Sequence, residues 1–174
     1  ILRDDALVDS GEIGEICVRA NYMFSGYNNN EAATKAAFFG DWYRTGDIGF
    51  IERDELFVVG RIKDVIILNG KNVFVHDVEA AVSRVGGIKP GRAVAFGRYS
   101  EKAGSELLVV VAERDGADMP DQDLQRDINR AVVEEVGVPC SDIRIVEQGW
   151  LVKTTSGKTS RSENASKYMR DFID

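Results

Sequence analysis

The chain has 174 residues, is 44% hydrophobic and holds three prolines, enough apolar material for a buried core in one domain or two small ones, and it does not read as disordered. Its net charge is −7 and uneven: residues 1–60 hold 5 basic and 11 acidic side chains against 17 and 18 in the remainder, so no basic face for nucleic acid is implied. No apolar run reaches the roughly 18 residues of a transmembrane segment, no charged-then-apolar leader opens the chain, and Cys17 and Cys140 stand far apart without metal-ligand spacing, so a soluble, cytoplasmic protein with reduced cysteines and no metal site is expected.

In chain order, Ile13 to Val18 alternates well enough for a strand and Glu31 to Phe39 is a short helical stretch. Then come two apolar strands, Ile48 to Ile51 and Leu56 to Val59, joined by a polar turn at Glu52 to Glu55. These are too few elements to close a core, so residues 1–61 read as part of a larger domain. Residues 62–174 read as a compact α+β domain. Val65 to Leu68 is a short apolar strand closed by Asn69-Gly70, a strong turn dipeptide. Val78, Ala81, Val82 and Val85 mark a helix, with Asp77 as its expected N-cap and Gly86-Gly87 as its end. Strands fit Arg92 to Phe96 and Leu107 to Ala112, separated by a polar Gly97 to Ser105. A helix opens at Asp121 and Asp123 and stops at Gly137 and Pro139, Ile143 to Val146 alternates like an edge strand, and a polar helix runs from about Ser160 to Phe172.

The chemistry-bearing residues cluster around the hairpin. A hairpin brings its ends together, so Asp47 of Tyr43-Arg44-Thr45-Gly46-Asp47 and Arg61 of Gly60-Arg61-Ile62-Lys63-Asp64 fall at one open end. A carboxylate there can accept from vicinal hydroxyls, beside a guanidinium with five fixed donors; a structural ion pair is the plainer alternative. Lys158 stands in Lys153-Thr154-Thr155-Ser156-Gly157-Lys158, where Gly157 permits a sharp approach and three hydroxyls can order the loop. Lys158 is either a surface lysine or a mobile ammonium able to neutralise charge growing on a phosphate. His76, alone before a helix, reads as a packing or capping residue, and Trp42 and Trp150 as core or interface.

With Gly11-Glu12-Ile13-Gly14-Glu15-Ile16, Gly26-Tyr27 with Thr34 and Phe38, and Asn69-Gly70-Lys71-Asn72, these motifs follow one another as in the acyl-adenylate-forming enzymes. The chain resembles the C-terminal portion of that superfamily, and within it the fatty acyl-AMP ligases. The resemblance implies that residues 1–61 are the last, β-rich subdomain of a large adenylation domain, with the triphosphate loop, the adenine pocket and the acyl tunnel preceding Ile1. It implies that residues 62–174 are a small mobile α+β C-terminal domain pivoting near Lys63, a position that a solvated linker lysine would also suit. It further implies that Asp47 binds the ribose hydroxyls of ATP and AMP, that Arg61 contacts the ribose or the phosphate, and that Lys158 is the catalytic lysine.

The implied activity of the parent enzyme uses ATP and Mg²⁺ to activate a fatty acid as acyl-AMP, then transfers the acyl group to the phosphopantetheine thiol of a carrier protein. Many CoA-using relatives place a lysine where this chain has Ile67, which favours the carrier over CoA. An acyl-CoA synthetase is the alternative, and a module that only docks a carrier protein is a further one.

Overall fold

The computed structural model describes residues 1–173 and has a mixed α+β fold. The chain divides into two compact units, the first Ile1–Lys63 and the second beginning at Asp64.

The first unit is a six-stranded sheet built on one long strand. Its elements are β1 (Leu2–Arg3), β2 (Ala6–Leu7), β3 (Gly14–Val18), α1 (Glu31–Ala37), β4 (Phe38–Phe39), β5 (Trp42–Glu52) and β6 (Glu55–Arg61). β5 pairs antiparallel with β3, β4 and β6. The turn from β5 to β6 is tighter than the expected four residues: Arg53 and Asp54 both take positive φ, 52° and 64°, as a two-residue hairpin turn requires. Gly14 and Gly49 face one another across β3 and β5. A Cβ at Gly49 would stand 2.4 Å from the Phe57 carbonyl oxygen, and one at Gly14 would stand 2.4 Å from that of Leu2, so the backbones can approach only over glycine. The apolar core here is thin. Leu2 and Ile16 are its buried hydrophobic side chains, while Ile51, Leu56, Phe57 and Val58 are exposed along the hairpin.

A second expectation fails in this unit. Phe38 and Phe39 leave the helix and form β4, because pairing with Tyr43 and Trp42 of β5 satisfies their backbone and seats Phe38 against the Tyr43 ring.

The second unit comprises β7 (Val65–Leu68), β8 (Lys71–Phe74), α2 (Val75–Val82), β9 (Ile88–Ser100), β10 (Ser105–Arg114), α3 (Asp121–Val136), β11 (Asp142–Val146) and α4 (Arg161–Phe172). β10 is central, antiparallel to β9 and parallel to β11. Its residues 107–112 are continuously apolar because both faces are covered. Leu108, Val110 and Ala112 join the core formed with α2, α3 and the β7–β8 hairpin; Val109 and Val111 join a second core with Phe96, Leu151 and Tyr168 of α4. Asn69-Gly70 makes the β7–β8 turn with φ of 50° and 80°.

Two further expectations are corrected. Asp77 does not cap α2: the chain passes directly from β8 into the helix at Val75, Phe74 holds the cap position without a side-chain bond, and Asp77 lies in the first turn, its carboxylate near the positive end of the helix dipole. The polar 97–105 segment is largely strand. Gly97 pairs with Leu108 and Ser100 with Ser105, extending the β9–β10 hairpin beyond its apolar middle, since pairing needs backbone groups and not apolar side chains.

Candidate active site

The sequence-predicted residues fall in both units, and each part is built separately. In the first, the hairpin register sets Asp47 directly opposite Arg61, with Arg61 Nε 2.9 Å from Asp47 Oδ1. Both side chains reach solvent, at 31% and 54% exposure, so their oxygens and donors stay accessible to a ligand. The approach to Asp47 is held from beneath. Thr45 Oγ1 donates to the Ile16 carbonyl at 2.8 Å and accepts from the Asp47 N–H at 3.0 Å, while Gly46, at φ 72°, donates its N–H to Glu15 Oε1 at 3.2 Å. The other Glu15 oxygen accepts from Arg44 Nε at 2.8 Å, and Arg44 also reaches Asp5 at 2.9 Å. Glu15 was not singled out in the sequence. Its signal was the second Gly-Glu of Gly11-Glu12-Ile13-Gly14-Glu15, whose glycine is fixed by the close approach of β1.

Asp64, the first residue of the second unit, ends the 3₁₀ turn Ile62–Asp64 that contains the exposed Lys63. Arg161, at the start of α4, reaches Asp64 Oδ2 at 2.8 Å and grips Glu79 of α2 with two bonds, at 3.0 and 2.7 Å. Glu79 Oε1 also accepts the Ala95 N–H of β9 at 3.1 Å, so one arginine ties α4, α2, the central sheet and the residue after Lys63 together.

Lys158 is exposed, and among the described residues it forms no salt bridge within its unit. Its backbone is fixed: the Lys158 carbonyl accepts the Thr154 N–H at 2.8 Å, and its N–H donates to Thr154 Oγ1 at 3.2 Å. Gly157 closes the turn with φ 82°. Upstream, Glu113 is fully buried, and its Oε1 accepts the N–H groups of Gly149 and Leu151 at 3.0 and 2.9 Å, seating the segment that enters the loop. Neither Glu113 nor Arg161 was marked by the sequence.

The other singled-out side chains have local partners. His76 lies in the first turn of α2 beside Asp77, its Nε2 3.4 Å from the carboxylate. Trp150 packs on Phe172 and under the Lys167 ammonium, and Trp42 lies beneath Arg19. Burial pushes the Cys140 thiol up to about 12, leaving it protonated and unreactive at neutral pH. Among the described residues no group of three or more His, Cys, Asp or Glu converges on a metal position.

No family model matches the chain. It is, however, 36% identical over 178 residues to FadD30 of Mycobacterium tuberculosis, named as a long-chain-fatty-acid–AMP ligase, a match covering 91% of this chain and 30% of that protein. It is 34% identical over 181 residues to FadD25 of the same organism, named as a fatty-acid–CoA ligase, covering 93% of this chain and 30% of the relative. Its structure is similar to that of the fatty acyl-adenylate ligases from E. coli and L. pneumophila, with TM-score 0.80 and 26% identity over 99% of this chain and 30% of theirs. Over more than nine-tenths of its length the chain is homologous to acyl-adenylate-forming ligases. It spans about 30% of the length of the curated relatives it matches.

Within the family fold the two charged groups have different stakes. Arg161→Ala removes charge-assisted bonds from two half-buried carboxylates and should destabilise the second unit by roughly 1.5–3 kcal/mol, with Arg161→Lys failing to restore the two-bond grip. Asp47→Ala breaks an accessible pair and should cost no more than about 1 kcal/mol. Urea denaturation of both variants checks the contrast; comparable losses would make Asp47 a structural residue.

Proposed function

We propose that this chain is the C-terminal portion of a cytoplasmic ligase that activates a fatty acid with ATP as acyl-AMP and passes the acyl group to the phosphopantetheine thiol of a carrier protein. The observation that carries this reading is the match to a long-chain-fatty-acid–AMP ligase over 91% of the chain, running through the Asp47–Arg61 hairpin and the Lys158 loop. In this reading residues 1–61 close the adenylation domain and residues 62–174 form the mobile domain.

In adenylation the substrate carboxylate oxygen attacks the α-phosphorus of ATP, a C(O)O–P bond forms, the bond to pyrophosphate breaks, and pyrophosphate leaves with the displaced electron pair. Two anions must meet and charge must grow on the phosphoryl oxygens. Lys158, a cation on a fixed backbone with a free side chain, is suited to neutralise it. Asp47 accepts from the two ribose hydroxyls, and Arg61 holds Asp47 while offering its remaining donors to the ribose or phosphate. Mg²⁺ is assigned to the nucleotide's own phosphates, which supply the hard oxygen ligands it prefers.

Ile67 favours a carrier-protein acceptor. The names of the relatives divide between AMP ligase and CoA ligase and do not decide it. Ile67 is 57% exposed on β7, so a side chain at this position reaches solvent, and it is apolar where the family resemblance implies a lysine in many CoA-using relatives. The CoA synthetase reading is the alternative, and the name of FadD25 is what favours it.

Three outcomes test the proposal in the full-length ligase. Lys158→Ala should slow carboxylate-dependent exchange of pyrophosphate into ATP by about 10²- to 10³-fold while transfer from supplied acyl-AMP survives; equal loss of both steps would remove Lys158 from its role. The specificity constant should favour a holo-carrier protein over CoA by at least about tenfold, and Ile67→Lys should narrow the gap; equal constants for the two thiols would establish the synthetase reading. Lys63→Pro fixes φ near −65° and restricts Ile62 before it, so adenylation should persist and thiol transfer should fail, whereas Lys63→Ala should keep both within about tenfold. Unimpaired transfer by the proline variant would place the pivot elsewhere.

A further inference from the structure

We propose that Asn164 is the positioning residue for Lys158, because one fully buried carboxamide in the first turn of α4 holds both rims of the loop that carries the lysine. The inference rests on the adenylation reading above.

Asn164 is 0% exposed, in a helix that is otherwise largely polar, and an amide in such a place is costly unless its bonds are made. They are made to the loop. Asn164 Oδ1 accepts the Val152 N–H at 2.9 Å, and Nδ2 donates to the Val152 carbonyl at 2.9 Å and to the Ser160 carbonyl at 2.7 Å. The Val152 peptide groups are thus engaged in both directions, as a neighbouring strand would engage them. Ser160 is the opposite rim, and its own N–H donates to the Val152 carbonyl at 3.1 Å. Residues 153–159 therefore leave and rejoin the fold at a neck closed by one backbone bond and braced on both rims by the Asn164 side chain.

Above the neck, Lys153 and Thr159 form an isolated antiparallel bridge, and the Thr154 bonds to Lys158 complete the turn. Beyond this turn the Lys158 side chain is exposed. Only an amide supplies this set of one acceptor and two donors: a carboxylate could not donate to either carbonyl, and an apolar residue would leave the Val152 N–H unpaired. The requirement falls on adenylation, where a displacement of about 1 Å at a reacting group can cost on the order of 10²-fold.

The test is a double-mutant cycle in the full-length ligase, with Lys158→Ala, Asn164→Ala and the pair, Asn164→Ser as a milder variant, and hydrogen exchange of the loop amides. Asn164→Ala should lower the kcat of adenylation by roughly 10- to 100-fold, with KM for ATP within about twofold and transfer from acyl-AMP retained. In the Lys158→Ala background the same substitution should cost less than about twofold, because the group it positions is gone. The Thr154, Gly157 and Lys158 amides should exchange faster while those of Val94 and Val110 keep their protection. Multiplicative losses in the cycle, equal loss of both half-reactions, or loss of protection throughout the unit would overturn the proposal, as would failure of both Asn164 variants to fold. If Lys158→Ala itself leaves adenylation intact, the adenylation reading fails instead, and the exchange data alone report whether Asn164 holds the loop.

Discussion

The architecture of the second unit depends on a strand buried from both sides. Because β10 alternates with a period of two, Leu108, Val110 and Ala112 must be covered by α2 and α3, while Val109 and Val111 must be covered by α4. The same alternation carries Glu113 to the α4 side, where the strand's apolar run ends and the backbone of the 149–151 segment arrives. A buried carboxylate is tolerable there because two N–H groups meet one of its oxygens and Arg92 lies 3.4 Å from the other. The hydrophobic sandwich thus dictates where the segment leading to the Lys158 loop can pass.

Apolar packing is not directional, and α4 could slide on such a surface. Directional bonds prevent it. Arg161 fixes its first turn to Glu79 and Asp64, and Asn164 fixes the next residues to Val152. The first unit is built differently: its sheet has little core, and glycine contacts and the Glu15–Arg44 brace set the geometry beneath Asp47. The side chains of Asp47, Arg61 and Lys158 face solvent, so the candidate chemical groups are accessible on hydrogen-bonded backbone.

Much of this was legible in the sequence where local rules suffice. The β5–β6 hairpin and its consequence, Asp47 facing Arg61, follow from two apolar runs and a polar turn; α3 was marked by its acidic first turn and by Gly137, which takes the left-handed C-cap. Failures occurred where a neighbour overrode local preference, as when pairing with β5 drew Phe38 and Phe39 out of a helical pattern. Glu113, Arg161 and Asn164 are illegible for another reason. Their partners are backbone groups or charges brought near only by the finished fold; Glu79 lies 82 positions from Arg161, and no periodicity or spacing rule connects them.

The hairpin that presents Arg61 also has a physical liability. β6 has one pairing partner, β5, and along it Leu56, Phe57 and Val58 are exposed, with Phe57 stacked on Phe50. A flat aromatic pair beside a row of open backbone donors and acceptors is a template for another strand. Glu55 and Arg61 bracket the segment with charge and act as gatekeepers at its two ends. Such an edge favours pairing with a further strand over staying bare, and charge placed at Leu56 or Val58 would oppose that pairing.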